Sequence, residues 1–340
     1  LEALENLQQA GTVSPLSLAE TLRGYAFALL KAHHFVRAKP DLIHCCWATM
    51  PATAGWLLHR ITGIPFSIGA HAYDVYKNGG DPLLPVKCRE AVLIHTTTES
   101  CRQRLIELGA APSKVVLVRR GLDSFPPMKP MRTGRRPIRL LSVGRLVHKK
   151  GYPELLRILC HCRRAGLDFE ARIVGGGPLQ TELEHQCADL HLEDRVTLTG
   201  GVPFEAVKSH YEWGDVLLFG GKVAPDGDRD GLPNVVPEAM AWGLPVLSTD
   251  VAGTTEAVRH GVTGMIGDLE EPASWLEALR QLQDDDALFD ELRHNAREWV
   301  LEHYDNRRNT KLLAERLKEA ARRARNTLSP LEHLTPQMSR

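Results

Sequence analysis

Apolar positions along the 340-residue chain alternate between short β-type runs and helix-period stretches. "DLIHCCW" (41–47) predicts a strand, and "ATAGWLLHRITG" (52–63) a helix stopped by Gly63. "PFSIGAHAYD" (65–74) predicts a strand running into a loop. "AVLIHTT" (91–97) predicts a strand, "ESCRQRLIELG" (99–109) a helix closed by Gly109, and "KVVLVRRG" (114–121) a strand. Such alternation predicts a parallel sheet with helices on its faces. The pattern breaks at "LDSFPPMKPMRTGRRP" (122–137), which has four prolines, four basic residues and little apolar content, and so predicts a linker. It then restarts. Strands are expected over 138–144, 169–175, 195–200, 215–221 and 245–250. Helices are expected over 152–165, 178–190, 204–212, 234–242 and 253–260. Residues 271–325 predict two or three long helices, and the last fifteen residues a disordered tail.

The expected organisation is therefore an α/β chain of two Rossmann-like, doubly wound domains facing across a cleft. The domains would be 1–121 and 138–300, joined by 122–137 and followed by a C-terminal helix over 301–325 and a tail over 326–340. The chain opens on a helical pattern, "LEALENLQQAG", where an α/β domain ordinarily opens on a strand. The first domain is thus expected to be incomplete, short of at least one strand–helix unit.

At 43% apolar and 25% charged residues, the composition is that of a soluble globular protein with enough chain for two cores. The formal net charge is zero, but residues 1–137 carry +7 and residues 138–340 carry −7. The basic half suggests an anionic partner, a membrane surface or a phosphate-bearing substrate; scattered surface charge without consequence is the alternative. Seven cysteines without framework spacing point to a reducing compartment. Cys160-His161-Cys162 lies in a helical pattern where positions i and i+2 diverge, which argues against a metal; Cys45-Cys46 is expected in the core. No run reaches the ~18 apolar residues of a spanning helix, and no signal peptide is expected. The protein is expected in the cytoplasm, with the inner face of the membrane as the finer expectation. "TLRGYAFALLKAHHFVRAK" (21–39), apolar on one side and basic, suits peripheral membrane contact or, equally, a core helix. No nucleic-acid partner is expected.

Three stretches carry candidate chemistry. "DGDRDGLPNVVPEAM" (226–240) opens like a calcium loop, Asp226, Asp228, Asp230 and Gly231. The bidentate Glu of such a loop would fall at 237, which is Pro237; Glu238 comes one residue late. No metal and no cofactor is expected. Asn234 is a good N-cap, Pro237 is tolerable in a first turn, and Gly243 ends the helix. The helix N-terminus would favour an anion, whereas Asp230 and Glu238 can accept hydrogen bonds from hydroxyls. "SVGRLVHKKG" (142–151) puts Gly144, Arg145 and Lys150 in a loop after a strand, where two cations suit a diphosphate; a solvated basic turn is the plainer alternative. "ARIVGGGPLQ" (171–180) puts Gly175, Gly176 and Gly177 after a strand, allowing close backbone approach to a ligand or simply a tight turn. Together they read as phosphates between Arg145, Lys150 and a helix N-terminus, with hydroxyl-rich sugars at either end.

"SVGRLVHKKG", "IVGGGPLQTELE", "RVTLTGGVP" and "GDRDGLPNVVPEAMAWGLPVLSTDVAGTTEAV" resemble the donor domain of retaining glycosyltransferase family four, of the GT-B fold. "PDLIHCCW", "GIPFSIGAHAYDVY" and "KVVLVRRGLD" resemble its acceptor domain, so that the likeness runs over about residues 40–300. The "GDRDGLP" context is similar to members building bacterial exopolysaccharide and lipopolysaccharide. The resemblance implies that Glu238 binds the ribose of a UDP- or GDP-linked sugar and Asp230 the transferred sugar. It implies that Leu232, Asn234 and Val235, after Gly231, offer backbone N–H groups, and that Arg145 and Lys150 neutralise the departing diphosphate. Gly175 to Gly177 and the Gly200–Val202 loop would flank the base. His71 would lie near the reacting carbon; a strand-end histidine satisfied by its surroundings is the alternative. The acceptor would be a carbohydrate or a lipid-linked glycan. The sequence departs from the family in Asp230 for the first Glu of Glu-x7-Glu and in Arg120-Gly121 for Asn-Gly. It also departs in lacking the N-terminal strand and glycine-rich loop. A GT-B sugar-nucleotide epimerase and a non-catalytic nucleotide-sugar-binding protein are the rival expectations.

Overall fold

The computed structural model describes residues 14–328. The expected helical opening at 1–11 and the expected tail from 329 onward lie outside the described residues. The chain divides into two compact units, Leu1–Arg119 with Arg307–Arg340, and Arg120–Asn306.

The first unit begins with helix α1 (Pro15–Ala38), whose start is set by Ser14 accepting the Ser17 N–H at 3.1 Å. Strand β1 (Ile43–Cys45), helix α2 (Met50–Thr62) and strand β2 (Phe66–Ala70) follow. Then come helices α3 (Ala72–Tyr76) and α4 (Leu84–Glu90), strand β3 (Leu93–Thr96), helix α5 (Glu99–Glu107) and strand β4 (Val115–Leu117). The four strands form one parallel sheet in chain order. Ile68 pairs Cys45 on one side and Ile94 on the other, and Ile94 pairs Val115. With Phe66, Leu84 and Leu105 these side chains make a single buried cluster. The stretch 65–74 does not run from strand into loop. Its strand ends at Ala70 and a short helix starts two residues on, because Asp74 takes the His71 N–H at 2.8 Å and caps that turn. Cys45 is buried, whereas Cys46, expected in the core, is exposed beyond the strand's end. Helix α1 packs through Thr21, Gly24 and Ala28, with Ala28 against Ala54 and Leu58 of α2, as a core helix would. Its other side leaves Leu22, Leu29 and Leu30 exposed.

The second unit holds strands β5 (Ile138–Val143), β6 (Phe169–Val174), β7 (Val196–Gly200), β8 (Val216–Phe219), β9 (Val246–Ser248) and β10 (Met265–Ile266). Helices α6 (Tyr152–Arg164), α7 (Gln180–Asp189), α8 (Phe204–Trp213) and α9 (Val235–Trp242) lie between them, and α10 (Pro272–Asp284) and α11 (Asp286–His303) follow. The sheet is parallel with order β10-β9-β8-β5-β6-β7. After β5 the chain winds outward through β6 and β7, then returns to lay β8 on the other side of β5. The strand order therefore reverses between β5 and β8, and the loops at the carboxyl ends of these two strands stand at that switch point, the place where such sheets hold ligands.

Three expectations change here. Residues 122–137 are no free linker but a strap on the second unit. Leu122, Phe125 and Met131 pack on its cores, Arg132 pairs with Asp215, and fully buried Arg135 pairs with Asp286 while stacking 3.9 Å from the Phe289 ring centre. Residues 253–260 form only a 3-10 turn, Ala252–Glu256, as the β-branched pair Thr254-Thr255 next to Gly253 disfavours helix. Helix α12 (Asn306–Leu328) begins later than 301, runs through the first residues of the expected tail, and belongs to the first unit apart from Asn306. Its Arg325 pairs with Asp41.

Candidate active site

Strand β5 ends at Val143, and the chain turns through Gly144 and Arg145 into a 3-10 turn, His148–Lys150, before α6. Gly151 between them has φ 65°, and a Cβ there would lie 1.8 Å from the Gly220 carbonyl oxygen, so the loops after β5 and β8 meet backbone to backbone. The loop after β6 is equally close. The Gly144 N–H donates to Val174 at 2.9 Å and the Leu146 N–H to Gly176 at 3.0 Å. A Cβ on Gly175, φ 143°, would fall 2.0 Å from the Gly144 carbonyl oxygen. The Gly175 N–H reaches the Gly200 carbonyl at 3.0 Å, which brings the loop leading to Val202 alongside. The three glycine-bearing loops thus form one continuous rim.

On this rim the charged residues sort into pairs. Arg145 is exposed and makes no ion pair among the described residues. Lys150 Nζ lies 2.7 Å from Asp230 Oδ2 and 5.0 Å from the Phe219 ring centre. Lys149 Nζ lies 3.0 Å from Asp228 Oδ1 and 3.4 Å from Asp230 Oδ1. Asp226 accepts the Asp228 N–H at 3.0 Å. The calcium-like acids therefore face lysines and a backbone N–H, and among the described residues no group of three His, Cys, Asp or Glu side chains is set to hold a metal.

After Gly231 and Leu232 comes α9. Asn234 already has helical φ and ψ, and its side chain makes no cap, contrary to expectation, because the turn is closed by the Val236 N–H on Pro233 at 3.1 Å instead. The N–H groups of Leu232, Asn234 and Val235 have no acceptor among the described residues, and this end of the helix favours an anion. Glu238, one turn in, accepts the Tyr211 hydroxyl at 2.7 Å. Burial raises the Glu238 carboxyl above its ordinary range, partly offset by that hydrogen bond. Burial and the neighbouring Glu238 raise the Tyr211 phenol well above its own.

His71 lies in the first unit, after β2. Its ring meets Trp47 edge-on at 4.8 Å between centres and His95 at 5.9 Å, and His95 stands 5.7 Å from His44. Burial, with His71 and His44 nearby, lowers His95 to about 4, so it is neutral.

Two family models cover nearly all of this chain. One, described as Glycosyl transferases group 1, matches residues 130–299, half of the chain; the other, Glycosyltransferase Family 4, matches residues 2–124. The chain belongs to the group 1 glycosyl transferases. The amylovoran biosynthesis glycosyltransferase AmsK of Erwinia amylovora is 35% identical over 188 residues, covering 54% of this chain and 46% of its own. A GDP-mannose-dependent phosphatidylinositol monomannoside mannosyltransferase of Mycolicibacterium smegmatis is 32% identical over 185 residues, 54% of this chain and 48% of its own. The chain thus spans about half the length of these curated relatives. Among solved structures, HepE from Anabaena in complex with UDP matches with a TM-score of 0.72 over 86% of this chain and 82% of its own, at 20% identity. The fold is α/β, of the GT-B class, as two Rossmann-like units with parallel sheets require.

Lys149 and Tyr211, in contact with Asp230 and Glu238, are residues the motifs did not single out. Lys149 was visible only as the first of two identical lysines in "HKKG". Tyr211 lies in α8, distant in sequence from Glu238, and no spacing rule connects them.

Proposed function

We propose that this glycosyltransferase moves a sugar, with retention at the anomeric carbon, from a nucleoside-diphosphate sugar to a carbohydrate or lipid-linked acceptor in polysaccharide synthesis. The observation that carries the reading is the switch point between β5 and β8, where Lys150 meets Asp230 at 2.7 Å on the loop that leads into the N-terminus of α9. As the bond from the anomeric carbon to phosphate breaks, positive charge grows on the sugar and negative charge on the leaving diphosphate. Arg145, Lys150 and the N–H groups of Leu232, Asn234 and Val235 would meet the negative charge as it grows. Glu238 would take the ribose hydroxyls and Asp230 those of the sugar. The acceptor hydroxyl forms the new bond to the anomeric carbon and gives its proton to an oxygen of the leaving phosphate.

Calorimetric titration with UDP, GDP and ADP, each with and without chelator, tests this. One nucleotide binds in chelator, and Glu238→Ala weakens it by about ten-fold or more, the size of a hydrogen bond to a charged group. With acceptor present, turnover releases that nucleoside diphosphate. Binding by none of the three, or equal binding by the variant, overturns the donor site.

A further inference from the structure

Asp230 is shared by two cations, one on each oxygen. Lys150 Nζ is 2.7 Å from Oδ2, and Lys149 Nζ is 3.4 Å from Oδ1. All three side chains are largely buried, at 13%, 12% and 19% exposure for Lys149, Lys150 and Asp230. The two lysines are held differently. The Lys149 ammonium makes a directed hydrogen bond to Asp228 at 3.0 Å, and its main-chain oxygen accepts the Lys222 N–H at 2.9 Å. Lys222 is itself fixed on Glu154 at 2.7 Å. Lys149 therefore has a post of its own. The Lys150 contact with Asp230 is close in distance but not aligned as a hydrogen bond, so it is the more easily exchanged.

We infer that Lys149 is a positioning residue that takes over Asp230 when a nucleoside diphosphate occupies Lys150; the inference rests on the donor-site reading above. An ammonium balanced on a carboxylate does not neutralise a second anion at full strength. When the diphosphate draws Lys150 away, Asp230 is left largely buried beside negative phosphate, an arrangement of like charges that is strongly unfavourable without a counter-ion. Lys149 already stands on its other oxygen. Passing from one lysine to the next keeps Asp230 paired on one oxygen and leaves the other to accept from sugar hydroxyls. In the unliganded protein, Asp230 and the incoming diphosphate compete for Lys150.

The test is calorimetric binding of the preferred nucleoside diphosphate, without sugar, to the parent, Lys149→Met, Asp230→Asn and the double variant, with melting temperatures as the check on folding. Asp230→Asn releases Lys150 and binds the nucleotide several-fold tighter than the parent. Lys149→Met leaves Asp230 on Lys150 and binds on the order of ten-fold weaker, a loss that disappears in the Asp230→Asn background because the two residues are coupled. Lys149→Arg keeps the charge and restores parent binding. The inference is overturned if Asp230→Asn binds no tighter than the parent, an arm that needs no folded Lys149 variant. It is also overturned if Lys149→Met loses as much in the Asp230→Asn background as it does in the parent. A parent that binds no nucleoside diphosphate defeats the donor-site reading itself, whereas a parent that binds with uncoupled variants defeats only the exchange between lysines.

Discussion

Glu238 is under two opposed influences, burial that raises its carboxyl and a Tyr211 hydroxyl that steadies the ionised form. Tyr211→Phe removes the second alone. The carboxyl then rises further, and nucleotide binding that needs an ionised Glu238 is lost at a higher pH as the medium is acidified. Titrations from pH 8 down to pH 5.5 should show the variant failing first, and about five-fold weaker binding at neutral pH from one lost hydrogen bond of about 1 kcal/mol. At this scale the sequence was most informative where chemistry dictates a residue type. Arg145, Lys150, Asp230 and Glu238 belong to short segments whose loops and helix start have recognisable spacing. Tyr211 and Lys149 make contacts that form only when α8 packs beside α9, and when the loop after β8 folds over the turn after β5. Neither geometry leaves a mark in local sequence.

Elements were legible in proportion to their length. A buried parallel strand is a continuous apolar run, and nine of these were foreseen within a few residues of where they lie. The two-residue β10 and the seven-residue α4 are too short to show a period. The strap over 122–137 read as a linker because prolines and basic residues dominate it, while its purchase on the second unit comes from scattered Leu122, Phe125 and Met131. The elements after β2 and along β3 hold two titrating groups of opposite effect. Asp74, buried beside Lys87 and Asp81, is raised from 3.8 to about 7 mainly by burial, so the native state keeps a proton that the unfolded chain has released. Its contribution is present below the ordinary carboxylate range and is lost as pH rises through about 7. His95 is lowered from 6.5 to about 4 by burial, with His71 and His44 adding to it. Its contribution is present above 6.5 and lost as pH falls through about 4. Between these limits the two slopes oppose. Melting temperatures should rise with pH in Asp74→Asn and fall with pH in His95→Gln, with the parent flatter than either. A parent slope unchanged by both substitutions would show that neither group titrates as its surroundings require.

At the scale of the molecule, the second unit is a single unbroken stretch, Arg120–Asn306, inserted between the parts of the first. Its two ends are tied to each other, since the Leu122 N–H donates to Tyr304 at 2.7 Å and the Asn306 N–H to Leu122 at 3.2 Å. A fragment of 120–306 should therefore fold alone, with one cooperative melt and the nucleotide affinity of the whole protein, and a non-cooperative melt would refute that. The first unit has no such independence. Helix α12 supplies Arg316, Glu319, Ala320 and Arg323 to a cavity of about 490 Å³ whose other walls include His59, Val92 and Lys114 from beneath the β1–β4 sheet. On a ribosome the order of manufacture follows. The four strands of the first unit emerge, then the entire second unit, and only afterwards the helix that closes the first. At about 5–20 residues per second, the strands wait roughly ten to forty seconds with that side uncovered. The first unit is begun before the second and closed after it, and it is during that interval, rather than in the mature protein, that its apolar floor is open to chaperones and to misassembly.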